Sequence, residues 1–220
     1  MKLSRRQFLE CAAGAAAVVV PLELRMPPHG VVLLDPGAQC SLVESAAGYA
    51  AALGARLARA DERATPCAAL IVPAVVEISA PLARAIAACL HAGGTVILES
   101  GAGFAARRAC RAHRTTMRDL FQVDVAEPVD VWPAPRGLPY VEYTWPQAIR
   151  VRDFSRAVPL ASRTGEIIAR VNELPMALKR RSGRGTLIVL GSPLGPALWA
   201  GDADASGWLR AVLQATPGWG

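Results

Sequence analysis

Short apolar runs that alternate with helical patterns limit what this chain can fold into more than any other feature. Residues 31–34, 68–72 and 95–98 hold no charged side chain, and each run is followed directly by a proline or an acidic residue. Runs of this length are typical of strands that are buried on both faces. Residues 186–190 form a fourth run of the same kind. We therefore predict a sheet with these four strands in its core.

Helix signals lie between the predicted strands. Ser41 and Glu44 have the spacing of a capping box, and Ser79 stands before an apolar helical pattern that Gly93-Gly94 would end. Strands that alternate with helices pair in parallel, with the helices packed against the sheet. The predicted fold class is α/β, with a flavodoxin-like, mostly parallel sheet and helices on both faces.

Residues 123–160 break this alternation. They contain six prolines, and proline inside a helix removes a hydrogen bond and clashes with the preceding turn. A Pro/aromatic-rich β insertion is therefore predicted within the domain. Its rings between Trp132 and Pro146 would either stack on a sugar or a partner protein, or fold back over one edge of the sheet.

The N-terminus resembles a twin-arginine export signal. The motif Ser4-Arg5-Arg6-Gln7-Phe8-Leu9 is followed by a short uncharged run from Cys11 to Leu22, which is shorter than the ~20 residues of a membrane-spanning helix. The resemblance implies a leader over residues 1–26 and a periplasmic or secreted location. An uncleaved leader would instead tether the protein to the membrane. Residues 30–216 then form a single domain, since two domains would be cramped in this length.

Charge and cysteine spacing exclude several classes of function. The formal charge is +6, and four of the 24 basic and two of the 18 acidic residues lie in the leader. The modest remaining charge carries no basic-aromatic motif, so no nucleic-acid partner is expected. None of the five cysteines forms a C-x-x-C pair or stands near clustered histidines, so no metal is expected. The sequence also has no nucleotide-binding fingerprint, iron-sulfur cysteine set or haem motif, so no cofactor is expected. Cys67 and Cys89 stand in apolar surroundings, which favours buried thiols over a disulfide.

The order of elements resembles a class I glutamine amidotransferase-like domain, especially the non-catalytic versions inside some bacterial beta-galactosidases. The resemblance rests on the strand over residues 70–73, the helix closed by Ala92-Gly93-Gly94, the strand over 95–98 and the late run over 183–192. It extends over most of residues 30–213 and implies an amidotransferase-like version of the α/β fold.

The same resemblance implies where a catalytic triad would lie. Active members carry a cysteine in the turn after the strand that ends near Leu98, and a histidine with a glutamate after a late strand. The thiolate attacks an amide, the imidazole handles the proton and the carboxylate orients the imidazole. Glu99 and Ser100 occupy the first place here, and Ser192 and Pro193 occupy the second. Glutamine amidotransferase activity is therefore not expected.

The turn after Leu98 is nevertheless the predicted ligand site. No catalytic residue is predicted, because a helix N-cap is the favoured interpretation of Ser100. If the turn had a catalytic role, Ser100 would be the nucleophile and Glu99 its neighbouring acid or base. Open α/β sheets bind ligands at the carboxyl ends of their strands. The predicted ligand-binding residues are Asp35, Gly37, Glu99, Ser100, Gly101 and Ser192.

Arginines form a stripe on one predicted helix. Their spacings of four, three and four residues put them on one helical face, and the set is Arg107, Arg111, Arg114 and Arg118. Such a face would contact an anionic surface or be simply solvated. Another face is predicted to pack on the sheet, and it consists of Ala105, Ala109, Ala112, Thr116 and Leu120.

These observations favour an exported cell-envelope binding or accessory protein over an enzyme. Its expected partners are an envelope protein or a carbohydrate, and the sequence leaves its oligomeric state open. One alternative is an envelope hydrolase that uses Ser100 and Glu99. Another is an accessory subunit of an exported redox enzyme, since folded export often serves such assemblies.

Overall fold

A mixed sheet organises the computed structural model, which describes residues 30–34, 42–54, 57–58, 67–131, 139–152 and 156–216. The strands are β1 (Val31–Leu34), β2 (Leu57–Ala58), β3 (Ala69–Val75), β4 (Thr95–Ser100), β5 (Asp124–Val125), β6 (Val129–Asp130), β7 (Tyr140–Tyr143), β8 (Ile149–Arg152), β9 (Arg156–Ala157), β10 (Leu160–Ala161), β11 (Glu166–Val171), β12 (Leu174–Ser182) and β13 (Gly185–Leu190). The helices are α1 (Val43–Leu53), α2 (Ala80–Ala92), α3 (Arg107–Phe121), α4 (Gly195–Trp199) and α5 (Ala203–Gln214), with a 3-10 turn at Ala102–Phe104. None of the helices in these residues is long and apolar enough to cross a membrane.

The main sheet has nine strands among the described residues, in the order β2-β1-β3-β4-β13-β12-β11-β7-β8. The first five strands pair in parallel. The remaining four pairings are antiparallel. The predicted mostly parallel, flavodoxin-like or amidotransferase-like sheet is therefore wrong, because half of the pairings in the main sheet are antiparallel.

Two short turns explain the antiparallel pairing of β11, β12 and β13. Strands β11 and β12 are joined by Asn172 and Glu173, and Asn172 has a left-handed φ of 51°. Strands β12 and β13 are joined by Gly183 and Arg184, and Gly183 has a φ of 60°. A connection of two residues can join only antiparallel strands, because a parallel pair needs a long crossover.

The predicted insertion contributes to the main sheet. Of residues 123–160, strands β7 and β8 form its antiparallel edge, while β5 pairs with β10 and β6 with β9 in two small sheets. Residues 132–138, which hold part of the aromatic stretch, and residues 153–155 lie outside the described residues.

Hydrophobic residues fill both sides of the sheet. Leu70 and Val72 of β3 belong to one cluster, together with residues of α2 and α3. Ile71 belongs to the other, together with residues of α1, α4 and α5. Successive strand residues point to opposite faces, so the absence of charge in β3 follows from burial on both sides. Trp208 anchors the second cluster, 4.3 Å from the ring of Tyr143 between ring centroids.

Candidate functional site at the end of strand β4

The predicted ligand site lies where β4 ends, in the middle of the sheet between β3 and β13. Glu99, Ser100, Gly101 and Ser192 are all buried there. Ser192 lies in the loop between β13 and α4. Two backbone N–H groups that follow it, those of Leu194 and Gly195, donate hydrogen bonds to the Glu99 carboxylate. The two other predicted ligand residues, Asp35 and Gly37, lie outside the described residues.

The Glu99 carboxylate accepts four hydrogen bonds. One oxygen accepts from the Ser45 hydroxyl and from the backbone N–H of Ala74, whose nitrogen lies 3.2 Å away. The other accepts from the backbone N–H groups of Leu194 at 3.0 Å and Gly195 at 3.1 Å. An ionised carboxylate offers about four acceptor positions, so this one is fully used. It ties β4 to α1, to β3 and to the start of α4.

Close backbone contacts bring these donors to the carboxylate. A Cβ atom on Gly195 would overlap the Ser45 side chain, and one on Gly48 would overlap the Gly195 carbonyl oxygen. Helices α1 and α4 can therefore pack at backbone distance only because these two positions lack side chains. The approach places the Ser45 hydroxyl and the first N–H groups of α4 beside Glu99.

An irregularity in β3 supplies the remaining donor. The pairing register between β3 and β4 shifts between Val72 and Val75, and Ala74 has a left-handed φ of 41°. This conformation is uncommon for a residue with a Cβ atom. The Gly101 N–H donates to the Val75 carbonyl at 2.8 Å, and a Cβ on Gly101 would overlap the Ala74 carbonyl. Gly101 thus serves the close packing of two strand ends.

Burial and hydrogen bonding act on Glu99 in opposite directions. Burial raises its pKa above the ordinary value, while the bonds from Ser45 and Gly195 oppose that rise. The Tyr49 hydroxyl is also buried near this carboxylate, but it makes no hydrogen bond of ordinary geometry with any described residue. Burial and the nearby carboxylate raise the pKa of Tyr49, so the phenol stays neutral.

Ser100 forms a second buried pair, with His113 of α3. The Ser100 Oγ lies 3.0 Å from Nε2 of His113, and Nδ1 of His113 lies 3.0 Å from the Val76 carbonyl oxygen. A carbonyl can only accept, so Nδ1 carries the proton and Nε2 accepts from the Ser100 hydroxyl. Burial lowers the pKa of His113 to about 4, which keeps the imidazole neutral. Both side chains are only 1 % exposed.

This geometry resembles a catalytic triad, in which a base activates a nucleophile and a third group orients the base. Ser100 stands in the place of the nucleophile, His113 in that of the base, and the Val76 carbonyl in that of the orienting group. The Ser100 oxygen also accepts from the Ala102 N–H at 3.3 Å, but the N-cap of the 3-10 turn at Ala102–Phe104 is Gly101 and not Ser100. Sequence reasoning missed His113 because the packing face of α3 was assigned wrongly. The buried residues are Cys110, His113, Met117, Leu120 and Phe121, a face that excludes Ala109, Ala112 and Thr116.

The arginine stripe on α3 is partly neutralised within the chain. Arg114 forms an ion pair with Glu127 and donates to the Val125 carbonyl at 2.7 Å. Arg118 pairs with Asp124 at 2.8 Å. Arg107 and Arg111 are exposed. Among the described residues, no group of three or more His, Cys, Asp or Glu side chains could hold a metal ion.

Comparisons with known proteins identify the fold but no family. No model of a known protein family matches the chain, and no curated protein matches it. A beta-galactosidase from Rahnella sp. R3 is similar over 85% of this chain and 31% of its own, with 11% identity and a TM-score of 0.60. An alpha-L-fucosidase from Paenibacillus thiaminolyticus is similar over 95% of this chain and 35% of its own, with 14% identity and a TM-score of 0.57.

A third similar structure is a cytoplasmic protein from Salmonella typhimurium LT2, which has 15% identity and a TM-score of 0.52. The match covers 98% of this chain and 88% of that protein. By contrast, the chain spans about a third of the length of the glycosidases it matches. Identities this low show a shared fold and carry no information on activity.

Proposed function

We propose that this protein is an exported cell-envelope binding or accessory protein that acts through its surface and performs no chemistry at the end of β4. One observation carries the proposal: the side chains that stand where a catalytic or ligand site was predicted are closed off by the protein's own groups. Glu99 is 0 % exposed and all its acceptor positions are used.

A general acid or base must reach a proton on its substrate. Glu99 has neither the exposure nor a free lone pair for that contact. Its four donors come from α1, from β3 and from the start of α4, so releasing the carboxylate would break the contacts that join these three elements at the end of β4. We infer that Glu99 is a structural centre of the fold.

The glycosidases that share this fold contain it as one part of a longer enzyme. This chain corresponds to about a third of each of those enzymes, which fits a module that works beside other parts of an assembly. The proposed partner is an envelope protein or a carbohydrate. Arg107 and Arg111 are exposed, and we propose that they contact an anionic surface. The sequence resemblance to amidotransferase-like domains stays a prediction.

Affinity isolation of the tagged full chain from its native envelope tests this proposal. We expect one stoichiometric partner, protein or polysaccharide, to remain bound after a moderate salt wash. A matched variant with Arg5→Lys and Arg6→Lys should stay in the cytoplasm and lose that partner. A wild-type protein found in the cytoplasm, where twin-arginine transport is intact, would contradict the export part of the proposal. If the exported protein were recovered with no bound partner, the proposal that it is a binding or accessory protein would be contradicted.

One observation favours a second candidate function, an envelope hydrolase that uses Ser100. The Ser100 hydroxyl donates to a neutral imidazole at 3.0 Å, which is the arrangement that activates a serine nucleophile. The pair would have to open to meet a substrate, because both residues are buried. A fluorophosphonate probe distinguishes the two functions.

Labelling of the wild type that is lost in Ser100→Ala, and kept in the control Ser206→Ala, would support the hydrolase and contradict the first proposal. An unlabelled wild type would support the first proposal. The remaining alternative, an accessory subunit of an exported redox enzyme, would be recognised by the identity of the partner recovered in the affinity isolation.

A further inference from the structure

Two cysteines lie with their sulfur atoms in contact. Cys67 stands two residues before β3, and Cys89 lies in the last turn of α2. Their Sγ atoms are 3.5 Å apart, and both residues are free thiols in this structure. The contact joins a strand of the parallel half of the sheet to the helix that follows it.

A short movement would join the two sulfurs. A disulfide has an S–S length of about 2.05 Å, so the atoms must move together by roughly 1.5 Å. Gly94 packs closely against the pair, since a Cβ atom there would lie 2.7 Å from the Cys89 sulfur and 2.5 Å from the Cys67 carbonyl oxygen. The two cysteines can therefore occupy these positions only because residue 94 has no side chain.

Neither thiol has a strong hydrogen-bond partner. The Cys89 sulfur lies 3.7 Å from the Cys67 carbonyl oxygen and 3.9 Å from that of Thr95, and a thiol is a weak donor in any case. Converting the pair to a disulfide thus sacrifices little hydrogen bonding. The two residues are separated by 22 positions in the chain, so a bridge would close a loop of useful length for constraining the unfolded state.

We propose that Cys67 and Cys89 form an intramolecular disulfide when the protein meets an oxidising thiol–disulfide couple. The bridge fastens the start of β3 to the end of α2. This inference does not depend on the proposed function, since it rests on the position of two sulfur atoms. In an exported protein, the oxidising compartment would supply the oxidant.

The chemistry is ordinary thiol–disulfide exchange. The Cys67 thiolate attacks one sulfur of an oxidant disulfide such as oxidised glutathione, forming a mixed disulfide and releasing one glutathione thiolate. Cys89 then loses its proton and attacks the Cys67 sulfur, which releases the second glutathione. The two protein thiols give up two electrons and two protons, and one oxidised glutathione becomes two reduced molecules.

Exposure and acidity indicate that Cys67, and not Cys89, attacks the oxidant first. Cys67 is 8 % exposed and Cys89 is 3 % exposed, so an oxidant reaches Cys67 more readily. The Cys89 thiol can donate to an ionised Cys67, which lowers the pKa of Cys67, while that contact and burial raise the pKa of Cys89. Thiolate character controls which sulfur attacks.

The test equilibrates the folded full-length protein in glutathione buffers of increasing oxidised fraction, followed by alkylation and peptide mass mapping. We expect a species that has lost two hydrogen atoms, with the Cys67 peptide joined to the Cys89 peptide. The bridge should also raise Tm by roughly 6–12 °C in a chain of this size, and a reductant should reverse that shift.

Two variants complete the design. Cys67→Ser should abolish both the crosslink and the redox-dependent shift in Tm, whereas Cys110→Ser, which removes another buried cysteine, should retain both. Near-ultraviolet circular dichroism of each reduced variant checks that it is folded. The proposal is overturned if Cys67 and Cys89 remain alkylatable in the most oxidising buffer, if they stop at mixed disulfides with glutathione, or if the crosslink involves a different cysteine.

Discussion

Replacing Glu99 with glutamine is the sharpest perturbation of the β4 centre, because it keeps the shape of the side chain and changes its hydrogen bonding. The carboxylate faces four donors and no acceptor among the described residues that bond to it. Glutamine has one oxygen and one NH₂ group. The NH₂ group must therefore point at two donors, whichever way the amide is turned.

The less costly orientation points the NH₂ group at Ser45 and Ala74. The Ser45 hydroxyl can rotate and accept, but the Ala74 N–H cannot, so one buried N–H is left without a partner. An unsatisfied buried donor costs about 1–3 kcal/mol, and hydrogen bonds to a charged acceptor are worth about 1 kcal/mol more than those to a neutral one. Relief of the buried charge offsets part of this loss. We expect Glu99→Gln to lower the free energy of unfolding by about 2–4 kcal/mol.

Urea denaturation followed by circular dichroism measures this difference, with an unchanged m-value as the sign that the folded state is intact. Glu166→Gln is the matched control. Glu166 pairs with Lys179 at 2.9 Å on the surface, and exposed pairs contribute about 0–1 kcal/mol. If Glu99→Gln were no more destabilising than Glu166→Gln, Glu99 would not be the structural centre described here.

Three further results are expected from the same denaturation assay. Burial lowers the pKa of His113 from 6.5 to about 4, so the unfolded state becomes protonated at a higher pH than the folded state. The free energy of unfolding should therefore be highest above pH 6.5 and fall by up to about 3 kcal/mol between pH 6.5 and 4, and His113→Gln should reduce this fall. Gly195→Ala, which forces a Cβ into Ser45, should destabilise by about 1–3 kcal/mol, while Gly201→Asn should have a much smaller effect. Trp208→Ala should cost about 3–5 kcal/mol through the cavity it leaves, whereas the exposed Trp199 should tolerate alanine.

Local signals in the sequence predicted the parallel strands and one helix well. Ser79 accepts a hydrogen bond from the Leu82 N–H at the start of α2, and Gly93 ends that helix with a left-handed φ of 97°. These features depend on neighbouring residues alone. The second predicted cap, at Ser41, lies outside the described residues, and the N-cap position of α1 is occupied by Leu42.

The antiparallel half was missed because hydrophobic pattern does not encode the direction of pairing. The apolar run over residues 186–190 predicts β13 as a core strand, but it does not say how β13 pairs with the strands before it. The two-residue turns at Asn172-Glu173 and Gly183-Arg184 decide that β11, β12 and β13 run antiparallel in the main sheet.

The β4 site could be located from sequence but not understood from it. Glu99 is predicted as a ligand residue because it stands in the turn at the carboxyl end of a strand, yet its donors come from as far as 96 positions away. Only the folded chain brings Ser45, Ala74 and Gly195 together around one side chain. His113 was overlooked for a related reason, since its contact with Ser100 depends on the rotation of α3 over the sheet.

The central claim, that the protein acts by binding and without chemistry at Ser100, is tested most directly by one comparison. The tagged wild type and Ser100→Ala, both exported from the same strain, are isolated from the envelope, and their bound material is quantified after a moderate salt wash. The account predicts the same stoichiometric partner with both proteins. A partner that is absent from the wild type, or material that accumulates only on Ser100→Ala as a trapped substrate would, contradicts it.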